Sequence, residues 1–195
     1  MMRPLRVEDA AAAADQHAAL MVNSVFAVFG AGFLACFYRH FARSPHAIAF
    51  VEEGPGGACA YIASTSDRHA FLRSLALRHG LRLAVYAVRG VLFHRECRRM
   101  LWQTLRYLRR TGQARTPAEM VFITVPSALR GRRVALELIE ATLAEFRRRQ
   151  ISTVSVTIES DNAPILKILN GMGFQSVDRF IFAGKPNDLL IRALS

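Results

Sequence analysis

Three observations predict an α/β (α+β) fold, a mixed twisted sheet flanked by helices. Apolar runs of strand length recur along the chain, and two of them, "EMVFITV" and "STVSVTIES", each lead into a helical pattern. A hairpin signature stands ahead of them, with "HAIAFVEE" and "GACAYIAS" flanking the cluster Gly54, Pro55, Gly56 and Gly57. At 195 residues and 52% hydrophobic content, the chain is long enough for one well-packed domain, 1–195, and cramped for two.

Residues 2–7 have the pattern of a short strand, followed by helical sequence over about 8–20 and 31–43. The 21 residues from Ala18 to Tyr38 carry no formal charge and reach the length of a membrane span. Asn23 and Ser24 interrupt them, and "FGAG" at 29–32 marks a break, so two buried helices are expected. After the hairpin comes a proline-free stretch, 68–110, in which Leu72, Leu75, Leu83, Val85, Leu92, Leu101 and Leu105 alternate with arginines at broadly helical spacing. It is expected to form a basic helical insert over about 67–112, between the hairpin and the strand 119–125. A helix over about 132–149 follows that strand, with Leu136, Ile139, Leu143 and Phe146 as its buried stripe. In "STVSVTIES", Val154, Val156 and Ile158 take one face and Thr153, Ser155 and Thr157 the other. Asp161 or Asn162 then caps a short helix to about 171, Pro164 being tolerated in its first turn. "FQSVDRFIFAG" and "NDLLIRAL" finish the fold as an antiparallel pair.

The formal charge of +11 is concentrated: between Arg68 and Arg110 eleven arginines face the single acid Glu96, a net of +10. Three cysteines, Cys36, Cys59 and Cys97, are widely spaced and lack any ligand pattern, so neither a disulfide framework nor a metal site is expected, and a cytoplasmic location is the simplest. The opening "MMRPLRVEDA" mixes charges of both signs where a secretory signal turns apolar.

One placement conflicts with local physics. Arg130, Arg132 and Arg133 crowd the start of the helix after "EMVFITV", although a helix N-terminus is its electropositive end. Arg147, Arg148 and Arg149 at the other end suit the dipole. A strand, a tight turn and a helix start aim several N–H groups at one point, phosphate is the anion such a site commonly holds, and arginine forks match its oxygens. The turn lacks the lysine and Ser/Thr of a Walker loop and is not GxGxxG.

The stretch from Ala118 to Phe174 resembles the GNAT superfamily of acyl-CoA-dependent N-acetyltransferases, in which an Arg/Gln-x-x-Gly-x-Gly/Ala turn binds the pyrophosphate of coenzyme A. Arg130, Gly131, Arg132, Arg133, Val134 and Ala135 occupy that turn, with Arg133 where the family usually has glycine. Asn162 and the pair Gly173–Phe174 resemble the family's "N…Y…GF" segment, whose Asn touches the pantetheine arm. The tyrosine that protonates the departing thiolate there is Leu169 here, which leaves water, Tyr61 or a hydroxyl of the 153–158 strand to supply the proton. "RPLRVEDA", the flanking helices and the hairpin extend the likeness to most of the chain outside the insert.

The resemblance implies acetyl-CoA, or a coenzyme A carrying another acyl group, as acyl donor, and a primary amine on a small molecule or peptide as acceptor. It also implies main-chain contacts from Ile123, Thr124 and Val125 to the pantetheine, between two splayed central strands. Glu119, the only acid in its strand, stands where relatives resembling the histone acetyltransferases carry their catalytic glutamate. An attacking amine must lose a proton, and desolvation raises a carboxylate's affinity for one. His40, His46, His69, His79 and His94 are scattered and expected to be structural or surface residues. Trp102 is expected in the core or as a lid over the acceptor. The insert is expected near the acceptor side of the cleft. Its possible partners are an acidic acceptor or acyl carrier protein, an anionic membrane surface that would make the protein peripheral, or a second copy in a homodimer. Nucleic acid is not the expected partner of an enzyme; the alternatives to an enzyme are a domain that binds acyl-CoA without transfer and a basic membrane-surface or nucleic-acid-binding protein.

Overall fold

The computed structural model describes residues 2–21, 24, 26–54, 59–93, 116–182 and 184–194, by backbone only at 28 and 90–93. The strands are β1 (Met2–Pro4), β2 (Ala47–Glu53), β3 (Cys59–Thr65), β4 (Ala118–Thr124), β5 (Thr153–Glu159), β6 (Gln175–Phe182) and β7 (Lys185–Ala193). The helices are α1 (Ala10–Leu20), α2 (Ala31–Arg43), α3 (Arg68–Phe93), α4 (Val134–Arg148) and α5 (Ala163–Gly171). The strands form one seven-stranded sheet in the order β1-β2-β3-β4-β5-β7-β6, antiparallel throughout except for the parallel pair β4–β5.

Alternation along the central strands divides the core into two clusters, one on each face of the sheet. On one face Ala118, Met120, Val154 and Val156 pack with Leu138, Ile139, Leu143 and Phe146 of α4 and Leu169 of α5. On the other, Val51, Tyr61, Ala63 and Phe122 pack under α1, α2 and the start of α3. The uncharged segment from Ala18 to Tyr38 spans the end of α1 and the first part of α2: Gly30, at φ +89°, breaks the chain ahead of the amphipathic α2, whose Phe33, Leu34, Phe37 and Phe41 are buried. Among the described residues no helix is long and apolar enough to cross a membrane.

Two expectations are corrected. The first strand stops at Pro4, where a 3-10 turn, Val7–Asp9, takes over. Helix α4 begins at Val134 rather than 132, because Gly131 (φ +76°) and Arg133 (φ +63°) hold left-handed conformations that cannot continue a helix. Its buried face is accordingly Val134, Leu138, Ile139, Thr142, Leu143 and Phe146, while Leu136 is only half-buried.

Helix α3 accounts for the first part of the expected insert. The rest of it, with His94, Cys97, Trp102, Leu92, Leu101 and Leu105, lies outside the described side chains. Asp67 caps α3 by accepting a hydrogen bond from the Ala70 amide at 3.0 Å, and the Arg68 amide bonds the Pro117 carbonyl at 2.8 Å. Phe71 packs on His40 and Phe41, with centroids 4.9 and 4.5 Å away. At the far end a Cβ on Gly32 would come within 2.7 Å of Tyr86. Helix α3 therefore runs back along α2, antiparallel to it, as an outer layer.

Candidate active site

The site begins where β4 and β5 part. They pair only from Ala118–Met120 to Val154–Val156. Each keeps its outer neighbour well beyond that point: β4 stays paired with β3 as far as Thr124, and β5 with β7 as far as Glu159. The cause lies in β4, which spends one extra residue between the pairs Ser64–Met120 and Ala63–Phe122. Such a bulge bends a strand. A slot opens beyond it, with half the backbone groups of residues 121–125 facing it without a strand partner among the described residues.

The slot leads to the arginine turn. Arg130, Gly131, Arg132 and Arg133 are exposed, and the Arg130 Nε–H donates to the Val125 carbonyl at 3.4 Å. Arg133 is the N-cap of α4 and gives no side-chain cap. The first backbone bond of that helix runs from the Glu137 amide to the Arg133 carbonyl, so the amides of Val134, Ala135 and Leu136 have no intrahelical acceptor. Gly131 and Arg133, both at positive φ, turn the chain sharply between the end of β4 and the first turn of α4. A Cβ on Gly131 would meet nothing within 4 Å, so its absence matters for backbone conformation and for what approaches from outside.

Glu119 sits one residue before the strands separate, across from Thr65 on β3 and Ser155 on β5. It is buried in the middle of the sheet and lies 3.6 Å from the Arg68 guanidinium at the start of α3. Its side chain points to the α1–α2–α3 face, away from α4.

No protein-family model matches the chain, and no curated protein matches it by sequence. Solved structures do match across its whole length. SsHAT is 20% identical over 100% of this chain and 98% of its own, with a TM-score of 0.64. For yncA from Salmonella typhimurium, solved with its cofactor acetyl-CoA, the values are 14%, 100%, 94% and 0.62. For NAA60 from Arabidopsis thaliana, in complex with a bisubstrate analogue, they are 10%, 99%, 97% and 0.62. The chain has the GNAT fold.

Within that GNAT fold the remaining candidate residues take up distinct environments. Ile123 and Thr124 end β4 along the slot and Val125 follows them, and the Thr124 hydroxyl accepts a hydrogen bond from the Gln16 side chain at 3.0 Å. Asn162 is the N-cap of α5, at the same end of the sheet as Arg130, and its side chain makes no capping bond. Leu169 is fully buried beneath the sheet. Tyr61 lies on the opposite face across from Thr124, and burial pushes its phenol above the usual range, which disfavours ionisation. Ser155 is committed, its Oγ–H donating to the Ala118 carbonyl at 3.2 Å. Thr157, on the same face of β5 but beyond the last pair with β4, is half-buried at the mouth of the slot. Among the described residues no cluster is suited to hold a metal.

Of the histidines, His40 is buried against Phe71 with its Nε2 2.8 Å from the Ser74 hydroxyl, and burial lowers its pKa. Sequence reasoning passed over His17. Its Nδ1 is 3.0 Å from the Tyr38 hydroxyl and its Nε2 2.8 Å from Ser24, and its ring packs on Phe122 at 4.6 Å. Burial pulls its pKa down to about 4, so it is neutral at physiological pH. The signal was present, since His17 continues the buried spacing of Ala10, Ala13 and Ala14. Arg68 offered no local signal, because its partner Glu119 arrives from a distant strand.

Proposed function

We propose that the protein is an acyl-CoA-dependent N-acyltransferase that moves an acetyl group from coenzyme A to a primary amine of a small molecule or peptide. The observation that carries this reading is the continuity of the β4–β5 slot with an uncapped helix start surrounded by Arg130, Arg132 and Arg133. A long ligand with an amide-bearing arm and an anionic end matches that shape: the arm pairs with the free edge of residues 123–125, and the diphosphate rests on amides 131–135. The Asn162 side chain, unused as a cap, is a further contact for the arm.

In the reaction the amine nitrogen attacks the thioester carbonyl carbon while Glu119 takes the amine proton, directly or through one water. Arg68 holds that carboxylate in place. β4 amides along the slot stabilise the developing oxyanion. Collapse forms the amide and breaks the C–S bond, expelling coenzyme A as its thiolate. With a thiol pKa of about 8.5, that group departs readily without a strong acid. Its proton then comes from water or the Thr157 hydroxyl, since Leu169 supplies none.

A binding-only reading is favoured by one observation, the burial of Leu169 where the family places its acid. Thermal shift with acetyl-CoA and with free coenzyme A, followed by thiol release across an amine set, separates the two. Ligand-dependent stabilisation that Arg130→Ala weakens, with thiol release that Glu119→Gln lowers about 100-fold or more, is the expected result. Stabilisation without thiol release leaves the binding-only protein, and no stabilisation by either ligand removes both readings.

A further inference from the structure

Among the described residues, the outward face of α3 takes part neither in the core nor in the slot. Leu77, Leu81, Val85 and Val88 recur at i, i+4, i+8 and i+11, which places them on one side of the helix. All four are exposed, Leu77 and Leu81 at 78% and 84% of full accessibility. The inner side, with Phe71, Leu75 and Leu83, packs on α2 and its neighbours. Arg78, Arg82 and Arg89 each follow a stripe residue by one position and form a parallel row about 100° round the helix. Arg73 stands one turn before Leu77, and all four arginines are exposed. No Asp or Glu occurs between Arg68 and Phe93.

We propose that this face of α3 docks on an anionic membrane surface, the aliphatic stripe entering the headgroup–acyl boundary and the arginines meeting lipid phosphates. A row of exposed aliphatic side chains marks an interaction site. Basic residues beside an apolar stripe are the arrangement that binds in the plane of an anionic bilayer, the arginine stems lying along the apolar surface.

Other occupants fit less well. A second copy docked on this stripe would bring together two faces that each carry only arginines as charged groups, and four side chains fall far short of the about 20–30 residues a side of a stable interface. An acidic protein would find no aromatic anchor on the stripe. Nucleic acid would gain nothing from the aliphatic row. The inference is independent of the acyltransfer reading, since it concerns the helix side that faces away from the sheet.

The test is flotation of the full-length protein with phosphatidylcholine vesicles, with and without a minority of phosphatidylglycerol, at low and high salt. Wild type is expected to float with the anionic vesicles and not the neutral ones. Replacing Arg78, Arg82 and Arg89 together by alanine should weaken partitioning roughly 100-fold, each basic side chain near the surface being worth about fivefold. Leu77→Ser with Leu81→Ser should abolish flotation while leaving the melting profile and any stabilisation by coenzyme A intact. Absence of flotation with every vesicle overturns the proposal. So does anionic binding that survives the double serine variant, because net charge alone then suffices. A dimer in sedimentation velocity that Leu81→Ser dissociates also overturns it, in favour of self-association.

Discussion

Helix α4 carries a triplet of arginines at each end, and the two triplets live in opposite circumstances. At the C-terminus Arg148 grips Glu145 through two bonds of 2.7 Å, while Arg149 donates to Glu145 and to the Pro45 carbonyl, both at 2.7 Å. These cations sit at the negative end of the dipole and their carboxylate partner is fixed, its pKa drawn down to about 2 chiefly by the Arg148 hydrogen bond. At the N-terminus Arg130 reaches only a carbonyl, and no carboxylate pairs with Arg130, Arg132 or Arg133 among the described residues. The dipole there repels them. At one end the fold itself ties down Arg148 and Arg149, whereas at the other it gives the arginines no carboxylate among the described residues, and that is where the proposed anion would sit.

The most severe way to break that contrast is to remove the N-terminal triplet entirely. With Arg130, Arg132 and Arg133 all changed to alanine, affinity for coenzyme A should fall at least about 100-fold, because each charge-assisted contact to phosphate is worth about 1.5–3 kcal/mol. The ligand-free melting temperature should hold or rise, since three cations leave the positive end of a helix. Calorimetric titration and a melt without ligand check the two halves. A lower melting temperature with unchanged affinity would make this triplet structural, like its counterpart.

At the other end the effect should be smaller and of the opposite kind. Glu145→Gln is expected to cost about 1 kcal/mol of stability, the scale of a solvent-screened ion-pair network, and to leave coenzyme A affinity unchanged. Its pH signature follows from the depressed pKa. The contribution is present above the ordinary value of 4.5 and is lost as pH falls from there through about 2. Denaturant melts of wild type and Glu145→Gln should therefore differ at neutral pH and converge in acid. Curves that stay parallel throughout that range would show that Glu145 is not the titrating group.

This difference between the ends was half legible in the sequence. The strand–helix–strand run from β4 to β5 could be read because its information is local: Val154, Val156 and Ile158 alternate, and Ile139, Leu143 and Phe146 keep helical spacing. The misplacement of three arginines at a helix start was legible too, as a conflict with the dipole. What could not be read was geometry that depends on rare backbone states or distant partners. A left-handed arginine at 133 contradicts residue preference, so the sequence pattern alone places the helix start two residues early. The extra residue in β4 that parts the central strands depends on the register with β3, and no short window contains that register. In the sequence Arg68 is one more cation of the basic segment 68–110, although the closure of the sheet brings it to Glu119.

The smallest expected effect sharpens the contrast most finely, at the single residue where this turn departs from the family pattern. Arg133→Gly has two opposing consequences for the ligand-free protein. Relief of a left-handed non-glycine residue is worth about 1–2 kcal/mol, and the added freedom of glycine in the unfolded chain takes back about 0.4–1 kcal/mol. A net gain of about 0.5 kcal/mol is expected, read as a small rise in denaturant midpoint with unchanged slope. For coenzyme A the same change removes one cation but lets the backbone approach the diphosphate more closely, so the loss should be only a few-fold and well short of that for Arg130→Ala. If Arg133→Gly instead weakens binding as much as the triple alanine variant, the side chain at 133 is the principal anion contact, and the backbone amides of the turn are secondary to it.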